Sequence, residues 1–237
     1  MKELKKYFDD YTIKARILPG LTVIAPFIIV AGFLNAEIDI TINVIFVIGL
    51  LTFMSVICRN LGVRKEKKIV KKLGAYQTTL LLRYSDSTID SFTKTRYHSY
   101  LNEQIKNLDL PLLAEDEVKN PHQSDDMYNS AIRWLRKNRR DKEKFPFVHK
   151  DLTTYGFTRN LLGLKLPALI LYIGVLLSAF IYLYANGEIE KLYQNTDYLI
   201  SSLTIVISIV ILLFGISFKT VVSQGFAYAK TILETCE

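Results

Sequence analysis

The chain has little of what catalysis usually needs. It holds two cysteines and three histidines in 237 residues. Cys58 and Cys236 lie far apart and outside any metal-ligand spacing, which argues against a disulfide framework and against a zinc site. His98, His122 and His149 are scattered, and His122 and His149 read as solvated loop residues. There is no Gly-rich phosphate loop, no Gly-x-Ser-x-Gly and no His-Glu-x-x-His pattern. No catalytic set, metal or cofactor is expected, so the chain does not read as an enzyme. The first apolar run is long and is not followed by a small-residue cleavage site, so it reads as a retained segment and not as a signal peptide.

Charge is missing from four long stretches. Half of the residues are hydrophobic and the mean hydropathy is positive, and that apolarity is concentrated. A helix needs about 20 apolar residues to cross the hydrocarbon of a bilayer. Four such spans are expected, at about 17–34, 42–58, 166–184 and 198–218, arranged as two hairpins. Pro19, Gly20, Pro26 and Gly32 in the first suggest a kink. The short connections are acidic: Asn35-Ala36-Glu37-Ile38-Asp39 in one, and Glu188, Glu190 and Asp197 against Lys191 in the other. Positive residues sit instead in the N-terminus (1–16, with Lys2, Lys5, Lys6, Lys14 and Arg16), in the segment between the hairpins and in the tail (219–237). The positive-inside rule places those three in the cytoplasm. Tyr172, Tyr182, Tyr184, Tyr193 and Tyr198 partly match an interfacial aromatic belt. No span carries a charge, which argues against ion-coupled transport. On the fourth span Ser201, Thr204, Ser208 and Gly215 form a small, hydroxylated stripe, suited either to close helix packing or to a pore wall.

What is present is one long polar segment, 59–165, with 22 of the 30 Lys and Arg and 13 of the 23 Asp and Glu, a balance of +9. Residues 59–73 read as a Lys-rich helix that continues from the second span and ends at Gly74. Such a run anchors topology and attracts anionic lipid at about 1 kcal/mol per basic residue. Residues 78–84 are expected to form a short strand or extended segment. Ser87-x-x-Asp90 has the form of a capping box for a helix with Ile89, Phe92, Tyr100, Leu101, Ile105 and Leu108 on its apolar face. Residues 109–123 read as a loop. Ser124-Asp125-Asp126 is expected to cap a second helix that buries Met127, Tyr128, Ala131, Ile132 and Leu135 and exposes Arg133, Arg136, Lys137 and Arg140. Phe145-Pro146-Phe147-Val148 reads as extended, and 155–165 as an interfacial elbow into the third span.

The densest polar cluster runs from Arg83-Tyr84-Ser85-Asp86 through Asp90 to Thr93-Lys94-Thr95-Arg96-Tyr97-His98. Guanidinium groups fork onto phosphates while adjacent rings stack on bases. Arg83, Lys94, Arg96 and His98, with Arg133, Arg136 and Lys137, are therefore candidate phosphate ligands, and Tyr97 and Trp134 candidate stacking residues. The competing reading is an exposed helix laced with its own ion pairs, with Asp86 and Asp90 as partners of Arg83, Lys94 or Arg96.

A longer pattern joins these residues: Thr78-Thr79, Leu82-Arg83, Asp86, Thr88-Ile89-Asp90, Thr93-Lys94, Arg96-Tyr97-His98, Ala131, Trp134-Leu135-Arg136, Phe145-Pro146, Tyr155-Gly156-Phe157, Arg159-Asn160-Leu161 and Gly163-Leu164-Lys165. It resembles the small four-span membrane effectors of bacterial nucleotidyltransferase-linked antiphage systems, the Hailong-type channel effectors, over most of the polar segment and the elbow. It departs from them at His149-Lys150-Asp151, where acidic residues usually follow the Phe-Pro pair. The resemblance implies an oligomeric ion channel in a bacterial inner membrane, held closed by a cyclic deoxyadenylate oligonucleotide made by a partner nucleotidyltransferase and opened when that signal is lost. A homo-oligomer is expected, because four spans enclose no pore alone and the stripe on the fourth would need copies of itself to line one; a tetramer is the favoured assembly. The fold class expected is thus a mainly α membrane protein, two transmembrane hairpins (17–58 and 166–218) with a helical basic cytoplasmic domain (59–165) inserted between them. The rival from another class is a non-channel membrane scaffold whose basic domain binds anionic lipid or a partner protein.

Overall fold

The computed structural model describes residues 9–33 and 40–237. The acidic turn 35–39 and Lys2, Lys5 and Lys6 lie outside them. All regular secondary structure among the described residues is helical. In chain order the elements are α1 (Asp10–Thr12), a π-helical turn (Ile13–Ile17), α2 (Leu18–Phe33), α3 (Ile40–Leu73), α4 (Gln77–Leu82), α5 (Ser91–Gln104), α6 (Ala114–Lys119), α7 (Pro121–Asn138), α8 (Pro146–Ala185), α9 (Lys191–Gln194), α10 (Thr196–Gly215) and α11 (Phe218–Leu233), followed by a 3₁₀ turn (Glu234–Cys236).

Three helical segments are long and apolar enough to cross a membrane: Asp10–Gly32, Pro146–Ala185 and Thr196–Gly215. They match the expected first, third and fourth spans. The expected second span, 42–58, lies within the helix α3, but most side chains of its first half are outside the described residues. The chain divides into two compact units. One combines Met1–Glu66 with Gly156–Val221, and the other combines Lys67–Tyr155 with Val222–Glu237. The divisions therefore fall at 66 and 155, inside α3 and α8, where the sequence suggested 59 and 165. The tail from Val222 also belongs to the polar unit instead of standing apart.

In the first, apolar unit the core is built from Val23, Cys58, Leu164, Ala168, Tyr172, Ile205 and Leu212, with Phe27, Leu61 and Ile209 packed against it. A proline shapes α2. Pro26 cannot serve the Thr22 carbonyl, and one residue along the Tyr172 hydroxyl donates to the Val23 carbonyl at 2.7 Å. Large side chains such as Ile170, Ile181 and Phe214 point outward, Phe214 with 82% of its surface exposed. Each exposed side chain of that size forgoes about 1.5–3 kcal/mol of burial in water, so this outer surface suits hydrocarbon. Asn195 caps α10 by accepting from the amides of Asp197 and Tyr198 at 2.9 and 3.3 Å.

In the second, polar unit the buried side chains include Leu81, Leu82, Tyr97, Leu101, Tyr128, Ile132, Leu135, Ile232 and Leu233. Several expectations change here. Residues 78–84 are mostly the short helix α4 and not a strand, since Thr78, Thr79, Leu81 and Leu82 all find buried places on its faces. Asp90, not Ser87, caps α5, its carboxylate accepting from the Thr93 amide at 2.9 Å. Phe92, expected inside, is 80% exposed, while Lys94, Tyr97 and His98 take the buried face. The expected loop 109–123 contains α6. Helix α7 begins at Pro121, three residues before the serine expected to cap it, because proline at the first helical position has no amide to leave unpaired. His122 and His149 are thereby helical and not in loops. Pro146 starts α8 in the same way, so the Phe-Pro segment is a helix start, and 155–165 is the interior of a 40-residue helix and not an elbow. Two expectations hold. Gly74, at φ +86°, closes α3 with its amide on the Val70 carbonyl. The face of α7 with Tyr128, Ala131, Ile132 and Leu135 is buried, Met127 standing half-buried at its edge.

Candidate functional site

The nine residues expected to meet a ligand separate by burial. Arg83 leaves the end of α4 and forks onto Asp125 of α7, Nε to Oδ1 at 2.8 Å and Nη2 to Oδ2 at 2.5 Å. Asp125, outside the carboxylates weighed from sequence, is its partner, and this bidentate bond holds the guanidinium above its ordinary pKa. Lys94 is 1% exposed. Its Nζ donates to the carbonyls of Arg83 (2.6 Å) and Asp86. A lysine there serves the carbonyls that close α4, as a cation suits a helix C-terminus. Burial pulls the ammonium below its ordinary pKa, with the carboxylates of Asp86, Glu117 and Asp90 opposing.

His98 is wholly buried. Nδ1 lies 2.6 Å from the Pro111 carbonyl oxygen and Nε2 3.1 Å from that of Leu82, with the rings of Tyr84 and Tyr128 each 5.2 Å away. A neutral imidazole donates from one nitrogen only, so one of the two carbonyls is left without a ring donor. Burial lowers the pKa of His98, while the two carbonyls and Glu117 pull it the other way. Glu117 is buried too and accepts from the Tyr128 hydroxyl at 2.6 Å and the Tyr84 amide at 2.9 Å. Tyr97 is 3% exposed, and burial, with Glu237 and Glu234 nearby, pushes its phenol up to about 12. In this packing Lys94, Tyr97 and His98 present no face to a ligand.

The other five stand at or near the surface. Arg96 meets Glu237, Nη2 to Oε1 at 2.6 Å, and donates to Thr93 Oγ1. Arg133, Arg136 and Lys137 are exposed on α7. Arg136 lies 5.9 Å from the Tyr228 ring centre, and Arg133 donates to the Asn129 carbonyl one turn back. Trp134 is half-buried, with the Arg139 guanidinium 5.8 Å from its ring. Arg139, missed in the sequence, organises this end of the unit. It donates to the Tyr100 hydroxyl at 2.6 Å and to Thr235, and lies over the Phe145 ring at 4.8 Å. Only its place in a basic run hinted at it. The exposed cations thus gather at the C-terminal end of α7, with Arg140 just beyond.

The apolar unit has a polar node of its own in α8. Pro19 cannot serve the Ala15 carbonyl, and Asn160 donates to that oxygen from Nδ2 at 2.6 Å. Gly62 of α3 leaves room for the same side chain, since a Cβ there would lie 1.9 Å from Asn160 Oδ1. Gly163 abuts the Leu61–Gly62 backbone, where a Cβ would come within 2.7 Å, and Gly156 faces Ala15 and the Tyr11 hydroxyl. Beside them Arg159 pairs with Glu66 at 2.9 Å. Lys165 donates to the carbonyls of Leu213 and Ile216 at 2.8 and 2.9 Å, capping the end of α10. In the sequence Asn160 stands out only within the longer pattern, and Gly62 falls outside that pattern. The signal available was a glycine in a Lys-rich helix together with an Asn-x-x-Gly in an apolar run. The stripe on α10 is partly self-satisfied: Thr204 and Ser208 donate to the carbonyls four residues back, whereas the buried Ser201 hydroxyl has no partner among the described residues. Gly215 is exposed at the helix end.

No group of His, Cys, Asp or Glu among the described residues is placed to hold a metal ion. No family model, curated protein or solved structure matches the chain.

Proposed function

We propose that the chain is an oligomeric membrane effector, a ligand-gated ion channel of antiphage defence in a bacterial inner membrane, whose polar unit binds a cyclic or short oligonucleotide that holds the pore closed. In this reading there are four spans with both termini and the polar unit in the cytoplasm, copies assemble as a tetramer, and a nucleotidyltransferase makes the ligand. The observation that carries it is the row of exposed cations Arg133, Arg136 and Lys137 on α7, in a chain whose other unit holds helices long and apolar enough for a membrane. The resemblance supplies the class of ligand. The ligand residues narrow to these three with Arg96 and, for stacking, Trp134. Arg83 acts through Asp125, and Lys94, Tyr97 and His98 hold the fold of the unit. No residue is assigned a catalytic role.

The test is mass spectrometry of nucleic acid released from the detergent-purified chain co-expressed with its partner enzyme. A defined cyclic or short oligonucleotide, absent from the Arg133→Ala, Arg136→Ala, Lys137→Ala variant and kept in Lys65→Ala, Lys68→Ala, supports the reading. One observation favours the rival, a scaffold on anionic lipid: Lys67, Lys68, Lys71 and Lys72 all lie exposed along the end of α3. A preparation free of nucleotide that binds anionic vesicles through those lysines would establish it.

A further inference from the structure

Large apolar side chains lie uncovered in one part of the polar unit. Phe92 is 80% exposed, Leu113 63% and Val118 76%. Hydrogen bonds tie their neighbourhoods together. Thr95, one turn from Phe92, shares a 3.1 Å hydroxyl contact with Tyr84, and the Tyr84 hydroxyl also donates to the Leu112 carbonyl at 2.8 Å. The Tyr84 amide donates to Glu117, the residue before Val118. The first turn of α5, the 112–113 segment and α6 therefore converge on Tyr84. The exposed charges on these same segments are more acidic than basic: Asp90, Glu115, Asp116 and Asp126 of α7 stand against Lys119, which pairs with Asp116 at 2.8 Å, and Arg96, which pairs with Glu237.

Water is a poor permanent neighbour for three such side chains in one region, so the surface calls for a cover. A second acidic face would be repelled, because like charges set against each other oppose association. The complement is carried by the same chain. Asp126, Arg133 and Lys137 stand at i, i+7 and i+11 on the exposed face of α7, with the cations about 10 and 16 Å along the axis from the acid. Phe147, in the first turn of α8 and ten residues beyond Lys137, is also 72% exposed. We infer that the Phe92–Leu113–Val118 face docks on the basic end of α7 in a second copy of this chain, head to tail. Two different faces joined in this way make a heterologous contact, which closes into a ring when the rotation allows.

The inference rests on the oligomeric part of the proposed function and adds a form of regulation. A neighbour's carboxylates and the phosphates of an oligonucleotide compete for Arg133 and Lys137. Ligand occupancy and this contact between neighbours then exclude each other, which gives the ligand the differential affinity that gating requires.

The experiment uses the full chain in detergent, expressed without any nucleotidyltransferase, carrying Val118→Cys and Lys137→Cys and treated with a short bis-maleimide. The buried Cys58 and Cys236 are replaced by serine in every variant, so that only the introduced thiols react. A ladder beyond the dimer from the doubly substituted chain, with none from either single variant alone, supports the head-to-tail contact. A single variant that links to itself overturns it, and so does the absence of linkage in every variant. In case the cysteines disturb folding, a charge swap asks the same question. Asp126→Lys and Lys137→Glu should each lower the assembled fraction several-fold, and the two together in one chain should restore it; no restoration overturns the contact. The native mass of the unlinked chain separates the two proposals. An oligomer without a ladder sinks only this surface, whereas a monomer sinks the channel reading with it.

Discussion

Lys94 and His98 place two titratable side chains where an apolar core would be simpler. Lys94 spends its ammonium on the carbonyls of Arg83 and Asp86, and His98 stands between those of Leu82 and Pro111. Together they hold the end of α4, the segment before α5 and the segment after it. Lys94→Met removes the donor from two carbonyls and also removes a buried charge. The first effect costs about 1–3 kcal/mol and is only partly offset. The expected outcome is a net loss of about 1–2 kcal/mol in denaturant unfolding. The single tryptophan, Trp134, lies in the polar unit and reports it by fluorescence. An unchanged midpoint would mean that water replaces the amine without loss. His98 gives the unit a pH dependence. Burial lowers its folded pKa below the ordinary histidine value, so the unfolded chain takes up the proton first as the solution is acidified. Its contribution is therefore complete above the unfolded pKa of about 6.5 and lost as pH falls below it. The Trp134 midpoint should drop between pH 7.5 and 5.5, and the drop should flatten in His98→Gln. A midpoint that rose on acidification would show that the two carbonyls, acting on an imidazolium, outweigh burial.

At the scale of elements, α3 meets α8 where Gly62 lies against Asn160 and Gly163. Gly62→Ala forces its methyl against Asn160 Oδ1 and should cost about 1–3 kcal/mol, the usual range for overpacking. Asn160→Ala removes the clashing atoms but leaves the Ala15 carbonyl without its donor. The double variant should therefore lose less than the sum of the singles, a coupling of roughly 1 kcal/mol or more. Cys58, buried one turn before Gly62, is the reporter. In a Cys236→Ser background, its reaction with a membrane-permeant maleimide should speed up in Gly62→Ala and slow again when Asn160→Ala is added. Additive effects would show that the two residues do not meet. Much of this architecture was legible in the sequence as long uncharged runs, as the Gly74 stop and as the 3.6-residue period of α7. Helix starts were less so, because Ser87 and Ser124 offered capping signals that Asp90 and Pro121 overrode. The stretch 155–165 read as an interfacial elbow into the third span. Here Gly156 and Gly163 make room for neighbouring helices instead. Charge misled most at the site. Lys94 and His98 looked solvent-facing because their acceptors are backbone carbonyls from segments distant in the chain, which no local pattern displays. Arg133, Arg136 and Lys137 were legible because they occupy the face opposite a clear apolar stripe.

The whole molecule separates its chemistry. Most of the length of the membrane-length helices lies in one unit and most of the charge in the other, and α3 and α8 each run through a division between them. Shifting a channel from mostly open to mostly closed takes about 5.5 kcal/mol of preference for the closed state. A few arginine–phosphate contacts, each charge-assisted, are the right scale for this if they form only in that state. On the proposed function, current through the reconstituted chain responds to titration with a cyclic deoxyadenylate oligonucleotide. Current should fall as ligand rises, and the half-closing concentration should climb steeply with salt, because each phosphate that meets a cation releases counterions. In Arg133→Ala, Lys137→Ala the half-closing concentration should rise at least tenfold. Its log–log salt slope should become shallower by about 0.7 for each phosphate deprived of its cation, the value for single strands. A weaker ligand with an unchanged salt slope would put the phosphates elsewhere on the unit. Current indifferent to ligand at every salt concentration would remove the sensor from the proposal and leave the exposed lysines of α3, and a lipid surface, as the reason for so basic a domain.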